Sequence, residues 1–253
     1  MNHSAELRAA LEAAGAAARV IRELYAKTLA VRLKEDSSPV TEADLRAEEA
    51  IRGVLASRFP GHAFYGEETG RTGSGDFLWL VDPIDGTKAF VRGYPMFSTQ
   101  IALMREGTLV LGVSSAPLYG ELAYAERGHG AWLNDRPLRV SEVATIEAAS
   151  LSAGNLRTLA TGPGWGRFGS VVAQVNRIRG YGDFLHYHLL AGGKIDAVVE
   201  SDVNILDIAA LVTVVEEAGG RFTALDGTPV GLGTTTVLAT NSRLHGLLLA
   251  ALG

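Results

Sequence analysis

The sequence FLWLVDPIDGT at residues 77–87 is an apolar run that ends abruptly in two acidic residues. The run has the length and composition of a strand buried in a packed sheet. Asp82 and Asp85 stand three positions apart, and carboxylates this close repel each other unless a cation lies between them. Pro83 favours an extended Asp82, which would hold the carbonyl oxygen of Ile84 beside both acids as a further ligand. The alternative is an ordinary exit from a strand into a turn.

The composition describes a globular protein with an ordinary core. The 253 residues suffice for one large domain or two modest ones. A net charge of -5 without a Lys/Arg cluster predicts no nucleic-acid partner, and the absence of cysteine excludes disulfides and thiolate zinc sites. The first residues fit an amphipathic helix rather than a signal peptide, and the apolar tail at 247–252 is too short to cross a bilayer. We therefore expect a cytoplasmic protein without a membrane partner.

The periodicity of the first half predicts helices followed by mainly antiparallel strands. Helices are predicted at 5–30 and from Thr41 to about Arg58, where Thr41 and Asp44 form a capping box. A short strand leads to Gly66-Glu67-Glu68, and the glycine-rich segment after it is predicted to be a mobile loop, 69–75. Further strands are predicted at 98–104, 109–116 and 121–126, with a loop at 128–137.

The composition changes near Ser141, which predicts two domains, 1–140 and 141–253. In the second domain, strands and helices alternate. The predicted strands are 148–152, 176–180, 196–200, 221–225 and 235–239, and the predicted helices are 168–176, 183–192, 204–218 and 242–252. This alternation indicates an α/β layer packed on the first part, hence the α/β (α+β) class.

Five acidic residues at predicted strand or helix ends are predicted to form one site: Glu67, Glu68, Asp82, Asp85 and Asp207. Apolar neighbours favour a partly buried Asp207, although a helix cap explains that position equally well. Oxygen donors without His or Cys favour Mg²⁺, Mn²⁺ or Ca²⁺ over zinc. Two or more such cations, bridged by Glu67 and Asp82, would form the clamp used in phosphoryl transfer. The turn that Gly86-Thr87 is predicted to open would offer backbone N–H groups to a phosphate.

Three motifs in this order resemble the inositol monophosphatase family of Mg²⁺-dependent, lithium-sensitive phosphatases: Gly66-Glu67-Glu68, the run from Asp82 to Thr87, and Asp207-Ile208-Ala209-Ala210. The resemblance extends from Lys34 to Gly220. It implies the layered αβαβα sandwich shared with fructose-1,6-bisphosphatase, commonly as a homodimer. It also implies two or three Mg²⁺ ions per site, with Mn²⁺ as the alternative.

The resemblance further implies a role for each matching residue. Glu67, Asp82 and the Ile84 carbonyl would hold one ion, whereas Asp82, Asp85 and Asp207 would hold a second. Glu67 would also position a third ion or its water. Thr87, paired with Asp44, would help to deprotonate the attacking water, and the Gly86 and Thr87 amides would bind the phosphate. The predicted substrate contacts are Asp183, Phe184, Glu200 and Asp207.

Details within the family favour the histidinol-phosphate phosphatase branch, which converts L-histidinol phosphate to L-histidinol and phosphate. The supporting features are the segment 88–93, Gly182-Asp183, and Glu200, whose charge suits a cationic amino-alcohol phosphate. Two features depart from that pattern: 201–206 lacks the usual Lys-Pro-aromatic sequence, and Phe184 stands where Cys is common. An inositol-1-monophosphatase, or a broader sugar or nucleotide phosphatase of the family, remains the alternative.

Two other classes of protein stay open. Aspartyl-phosphate phosphatases carry an Asp-x-Asp-Gly-Thr signature, but the acids at 82 and 85 are separated by two residues, so a phosphoenzyme is not expected. A scaffold that binds a metal or a partner is the non-enzyme alternative. His186 and His188 are predicted to be packing or hydrogen-bonding residues. Lys34 could reach toward the site or be a solvated surface residue, and Trp165 could cover the pocket or the core.

Overall fold

A computed structural model describes residues 3–25, 32–33 and 39–253 of the chain. Within those residues the helices are α1 Ala5–Tyr25, α2 Glu42–Arg58, α3 Thr87–Val91, α4 Leu156–Thr161, α5 Trp165–Val172, α6 Asp183–Ala191, α7 Ile205–Glu217 and α8 His245–Leu252. The end of the first predicted helix, 26–30, and Lys34 lie outside the described residues. No helix in the described part has both the length and the apolar character needed to span a bilayer.

The larger sheet has eight strands in the order β10-β9-β8-β7-β6-β5-β3-β4. Its strands are β3 Ala63–Gly66, β4 Gly70–Thr72, β5 Phe77–Asp85, β6 Ser98–Arg105, β7 Thr108–Ala116, β8 Glu121–Glu126, β9 Ala131–Leu133 and β10 Arg136–Pro137. From β5 to β10 each strand pairs antiparallel with the next, whereas β3 runs parallel to β5. The antiparallel meander is thus confirmed. The short strands β1 Arg32–Leu33 and β2 Pro39–Val40 pair with each other separately.

The smaller sheet has five strands in the order β12-β11-β13-β15-β14. Its strands are β11 Ser150–Ala153, β12 Arg177–Arg179, β13 Ala197–Ser201, β14 Gly220–Thr223 and β15 Thr236–Asn241. The pairings of β11 with β12 and β13 are parallel, and those of β15 with β13 and β14 are antiparallel. All strands predicted for this half are present, with ends shifted by a few residues.

The layers follow the order helix, sheet, helix, sheet, helix, so the predicted αβαβα sandwich is confirmed. Helices α1 and α2 cover one face of the larger sheet, where Leu7, Ile21 and Ile51 are buried. Helices α6 and α7 lie between the two sheets, and α7 is apolar nearly all round because both of its faces are covered. Helices α5 and α8 close the outer face of the smaller sheet around Phe168 and Leu248.

Helix α7 lies unusually close to the larger sheet. A Cβ atom on Gly112 of β7 would overlap the backbone of Ala210, so only glycine fits at that point. The small side chain of Ala210 allows the same approach from the helix side. This contact sets the depth of α7, and with it the position of Asp207 in the first turn of the helix.

Two predicted loops are wrong. Gly70–Thr72, within the segment predicted to be a mobile loop, is an edge strand paired antiparallel with β3. The segment 128–137 contains β9 and β10, which extend the meander. Strands of two or three residues are too short to show alternation, and neighbouring strands supply the pairing that defines them.

Candidate metal centre

A bulge in β5 turns both motif acids toward one place. Residues three apart on a regular strand point to opposite faces of the sheet. Asp82 pairs with Gln100 and Asp85 with Ser98, so β5 holds one residue more than β6 over this interval. Pro83 has no N–H to give to the ladder, and its carbonyl accepts a hydrogen bond from the Thr99 hydroxyl at 2.8 Å. The proline that interrupts the strand thereby brings the two acids together.

Asp207 joins these acids from a different layer of the fold. Carboxylate oxygens of Asp82, Asp85 and Asp207 all lie within 4.8 Å of one another. Asn204 is the N-cap of α7, and Asp207 accepts hydrogen bonds from the Asn204 backbone at 2.9 Å and its side chain at 2.6 Å. Asp207 therefore occupies the third position of a capping box, not the cap itself, and contributes to the acidic cluster at the same time.

Glu67 reaches the same cluster from the end of β3. Its turn is held by Glu48 of α2, whose carboxylate accepts the backbone N–H groups of Glu68 at 2.8 Å and Thr69 at 2.9 Å. A Cβ atom at Gly66 would overlap that carboxylate, so a larger residue there would displace Glu48 from this turn. The Glu67 side chain hydrogen-bonds Asp82, and its charge also acts on Asp44, Asp85 and Asp207.

The electrostatics of the cluster match the chemistry of a divalent cation. Burial, and then the charge of Glu67, raise the pKa of Asp82 well above its usual range. Burial and the neighbouring Asp183 do the same for the pKa of Asp85, and burial raises the pKa of Asp207 to about 7. The negative charge of each carboxylate is thus destabilised by burial and by the neighbouring acids, and a hard cation among them would offset that repulsion. The donor set fits Mg²⁺ or Mn²⁺, although ligation itself stays a prediction.

The predicted pair of Asp44 and Thr87 lies beside the cluster. The Thr41 N–H donates to Asp44 Oδ2 at 2.7 Å and the Thr41 hydroxyl accepts the N–H of Ala43 at 3.1 Å, as in the predicted capping box; the hydroxyl also donates to Asp44 Oδ2 at 2.7 Å. The Thr87 hydroxyl lies 3.2 Å from Asp44 Oδ1 and 3.0 Å from the carbonyl oxygen of Ile84. Burial is the main cause that raises the pKa of Asp44. Thr87 therefore connects Asp44 of α2 to the carbonyl oxygen of Ile84, which is a predicted metal ligand.

The turn after the motif is the start of helix α3. Gly86 is its N-cap with φ 93°, a conformation that glycine adopts without strain. A Cβ atom at Gly86 would lie 2.6 Å from the carbonyl oxygen of Met96, so the site also lacks space for a side chain. The predicted phosphate contacts, the N–H groups of Gly86 and Thr87, thus occupy a turn whose backbone is fixed by packing.

The predicted substrate residues are only partly brought to the cluster. Asp183, Glu200, Asp85 and Asp207 line one small cavity. Burial and the charge of Glu200 raise the pKa of Asp183, so a second pair of acids adjoins the first. Phe184 is fully buried against Tyr119 and His188, which does not favour the predicted contact of its side chain with substrate.

Several residues around the site escaped the sequence interpretation. Tyr187 lines the cavity and donates a hydrogen bond to Glu200 at 2.7 Å. Gln100 donates to the Ser98 hydroxyl at 2.7 Å, and Ser98 approaches Asp85 at 3.4 Å. Asn204, which holds Asp207, was also missed, and it is the one member of this group with a signal in the sequence, the Asn-x-x-Asp spacing of a capping box.

The two histidines of α6 are hydrogen-bonding residues, as interpreted. His186 contacts Ser152 and Glu200. His188 lies 2.8 Å from Glu121 and 2.9 Å from Ser114, neither of which belongs to the acidic cluster. Trp165 is half exposed and packs on Phe168 at the outer layer.

Comparisons with known proteins agree with this geometry over nearly the whole chain. The sequence profile described as the inositol monophosphatase family matches residues 3–253. A histidinol-phosphatase of Mycobacterium tuberculosis is 43% identical over 254 residues, which cover 97% of this chain and 96% of that protein. An inositol-1-monophosphatase of Caulobacter vibrioides is 35% identical over 247 residues, which cover 93% of this chain and 96% of that protein. The crystal structure of extragenic suppressor protein suhB from Bartonella henselae superposes with a TM-score of 0.88 at 33% identity, covering 98% of both chains.

Proposed function

Because the chain belongs to the inositol monophosphatase family, we propose that it is a phosphoric monoester hydrolase whose substrate is L-histidinol phosphate. The support for the reaction is the convergence of Glu67, Asp82, Asp85 and Asp207 on one place. The support for the substrate is the greater similarity to histidinol-phosphatases, 43% against 35% identity for an inositol-1-monophosphatase.

The second acidic pair favours a cationic substrate. Asp183 and Glu200 adjoin the cluster of Asp82, Asp85 and Asp207. Among the described residues that line the cavity there is no lysine or arginine. Histidinol phosphate carries an ammonium group as well as a phosphate, and an ammonium beside two carboxylates relieves their repulsion. Apart from its phosphate, inositol phosphate carries only hydroxyl groups and would bring no cation to the two carboxylates. Hydrolysis of an inositol monophosphate remains the second candidate, because a family relative of 35% identity bears that name.

The residues of the chain have distinct tasks in this proposal. Divalent cations held by Glu67, Asp82, Asp85, Asp207 and the Ile84 carbonyl would supply an acidified water and charge stabilisation for the leaving oxygen. The Thr87 hydroxyl accepts the proton of the attacking water while it donates its own proton to Asp44. The N–H groups of Gly86 and Thr87 orient the phosphate, and Asp183 and Glu200 bind the ammonium group.

A substrate panel tests the proposal directly. Phosphate release would be measured with purified protein and MgCl₂ on L-histidinol phosphate, inositol 1-phosphate, fructose 1,6-bisphosphate and adenosine bisphosphate. We expect release that depends on Mg²⁺ and the highest kcat/KM for L-histidinol phosphate. A preference for inositol 1-phosphate would leave the reaction class intact and refute the substrate. Trapping of a phosphoenzyme, or no release from any ester, would refute direct hydrolysis by water.

Four further features complete the proposal. The enzyme acts in the cytoplasm as a homodimer with two or three Mg²⁺ ions per site, and each chain divides into domains 1–140 and 141–253. Light scattering of the purified protein tests the dimer, and atomic emission after dialysis against Mg²⁺ counts the ions. A monomer at micromolar concentration would contradict the assembly without affecting the reaction.

A further inference from the structure

Glu200 is held by two neighbouring side chains of helix α6. Glu200 itself is 5% exposed on strand β13, and His186 is fully buried. The Nε2 atom of His186 lies 3.1 Å from Oε2 of Glu200. The hydroxyl of Tyr187 donates to the same oxygen at 2.7 Å. Oε2 thus has two protein donors, which leaves Oε1 as the oxygen for a bound ligand.

The contacts around His186 are all satisfied by the tautomer with its proton on Nε2. The N–H of Tyr181 donates to the hydroxyl oxygen of Ser152 at 3.2 Å. Ser152 can then donate its own proton to Nδ1 of His186, 3.3 Å away. With a proton on Nε2 the ring donates to Glu200, and every donor in the series then has an acceptor.

The backbone restricts the same carboxylate from the other side. A Cβ atom on Gly154, just after strand β11, would overlap Oε1 and the carboxyl carbon of Glu200. The carboxylate therefore lies directly against the Gly154 backbone, between this glycine and the two donors of α6. Its orientation is determined on both sides, at a place where it lines a cavity with Asp183 and Asn155.

We propose that His186 is a positioning residue for substrate selection, which together with Tyr187 orients Glu200 so that Oε1 binds the ammonium group of an amino-alcohol phosphate. The inference rests on the proposed function, because it concerns the part of the substrate that is not hydrolysed. A fixed acceptor binds an ammonium group more tightly than one that must first be ordered. Loss of the His186 donor would therefore weaken binding of amino-alcohol esters and leave polyol esters unaffected.

A merely structural role for His186 predicts a different pattern. Removal of a buried hydrogen-bonding side chain destabilises the fold and lowers the activity on every substrate to a similar degree. The ratio of kcat/KM for an amino-alcohol ester to that for a polyol ester separates the two cases. L-Histidinol phosphate and glycerol 2-phosphate form such a pair, since only the first carries an amine.

The decisive comparison is between His186→Leu and His186→Gln in the full-length protein. For His186→Leu we expect KM for L-histidinol phosphate to rise by about tenfold or more, the effect of losing one hydrogen bond to a charged group. We expect kcat/KM for glycerol 2-phosphate to stay within about twofold. His186→Gln keeps an N–H donor and should restore most of the ratio. His188→Leu, on the same helix but bonded to Ser114 and Glu121, is the matched control and should leave the ratio unchanged.

Each other outcome overturns the inference in a recognisable way. An unchanged ratio in His186→Leu, with wild-type protein that prefers the amino-alcohol ester, refutes the role of His186 alone. Wild-type protein that hydrolyses only polyol esters refutes the proposed substrate, and the inference with it. Should His186→Leu fail to fold, Tyr187→Phe removes the second donor with little change in volume and must lower the ratio in the same direction.

Discussion

The hydroxyl of Thr87 lies 3.2 Å from the carboxylate of Asp44, although 43 residues separate the two in the chain. Asp44 belongs to the first turn of α2, and Thr87 is the first residue of α3. The same hydroxyl also lies 3.0 Å from the carbonyl oxygen of Ile84. The contact therefore joins a helix on the outer face of the larger sheet to the motif at the end of β5.

Thr87→Ala tests the proposed path for the proton of the attacking water. We expect kcat on the best substrate of the panel to fall by about 100-fold or more, the usual contribution of a positioned proton acceptor. Thr87→Ser keeps the hydroxyl and should retain most of the activity. Steady-state kinetics at saturating Mg²⁺ measures both variants, and equal activity of Thr87→Ala and wild type would remove Thr87 from the mechanism.

Asp82→Asn tests whether the buried acids are assembled for a cation. Burial and Glu67 raise the pKa of Asp82, so a neutral side chain should raise the melting temperature of the protein in EDTA. We expect added Mg²⁺ to stabilise wild type by about 2.7 kcal/mol at a hundredfold excess over Kd, and the variant should lose most of this gain together with its activity.

Differential scanning fluorimetry over a MgCl₂ titration measures both effects of Asp82→Asn. Glu142→Gln is the matched control, since Glu142 is an exposed acid in an ion pair with Arg243. The control should behave as wild type. A variant at position 82 that melts lower in EDTA, yet still responds to Mg²⁺, would contradict a metal role for Asp82.

Gly112→Ala should separate α7 from the larger sheet. The added Cβ atom would overlap the backbone of Ala210, and such overpacking costs about 1–3 kcal/mol of unfolding free energy. Gly15→Ala on α1 is the opposite control, because its Cβ atom meets nothing within 4 Å and an alanine there should stabilise the helix by about 0.5–1 kcal/mol. Urea denaturation of the two variants should therefore move the midpoint in opposite directions.

His245 should make the protein less stable in mild acid. Its ring nitrogens each lie 3.1 Å from a buried hydroxyl, those of Thr223 and Thr240, and burial followed by Arg221 lowers the pKa of His245 to about 4. An unfolded histidine has a pKa of about 6.5, so between these values the unfolded chain binds a proton that the native protein does not. The stability from this group is complete above about pH 6.5 and declines toward pH 4.

Urea denaturation of wild type and His245→Gln at pH 7.5 and 5.0 measures this effect. The clustered carboxylates act in the opposite direction, because burial raises the pKa of Asp207 to about 7 and the native protein then binds more protons than the unfolded chain. Only the difference between the two proteins isolates His245. Wild type should lose more stability on acidification than the variant, and an equal loss would show that His245 is protonated in the native state.

Much of the fold was accessible from the sequence because its elements are long and strongly patterned. Helix α2, with its capping box at Thr41, and the meander from β5 to β8 have clear periods of their own. The acids of the site could be named because each follows a strand or begins a helix. The family resemblance then supplied the order of the layers, which spacing alone does not give.

The remaining features depend on contacts between distant residues. Strands β4, β9 and β10 exist only because a neighbouring strand pairs with them. Phe184 was assigned to the substrate from a motif, whereas packing against Tyr119 buries its ring. The bonds of His186 to Ser152 and Glu200 join residues 34 and 14 positions away, a relationship that no local pattern contains.

The extra residue in β5 has a consequence for how the chain reaches its native state. The Thr99 hydroxyl reaches the Pro83 carbonyl only when β5 and β6 are aligned as observed. A slip by one position would exchange the large residues on the α1/α2 side, such as Trp79, with those on the α7 side, such as Leu80, and leave this carbonyl without its donor. The bulge that brings Asp82 and Asp85 together is thus also what makes misaligned pairing of β5 with β6 unstable. A sheet that folds with these two strands in register therefore has its two acids already side by side.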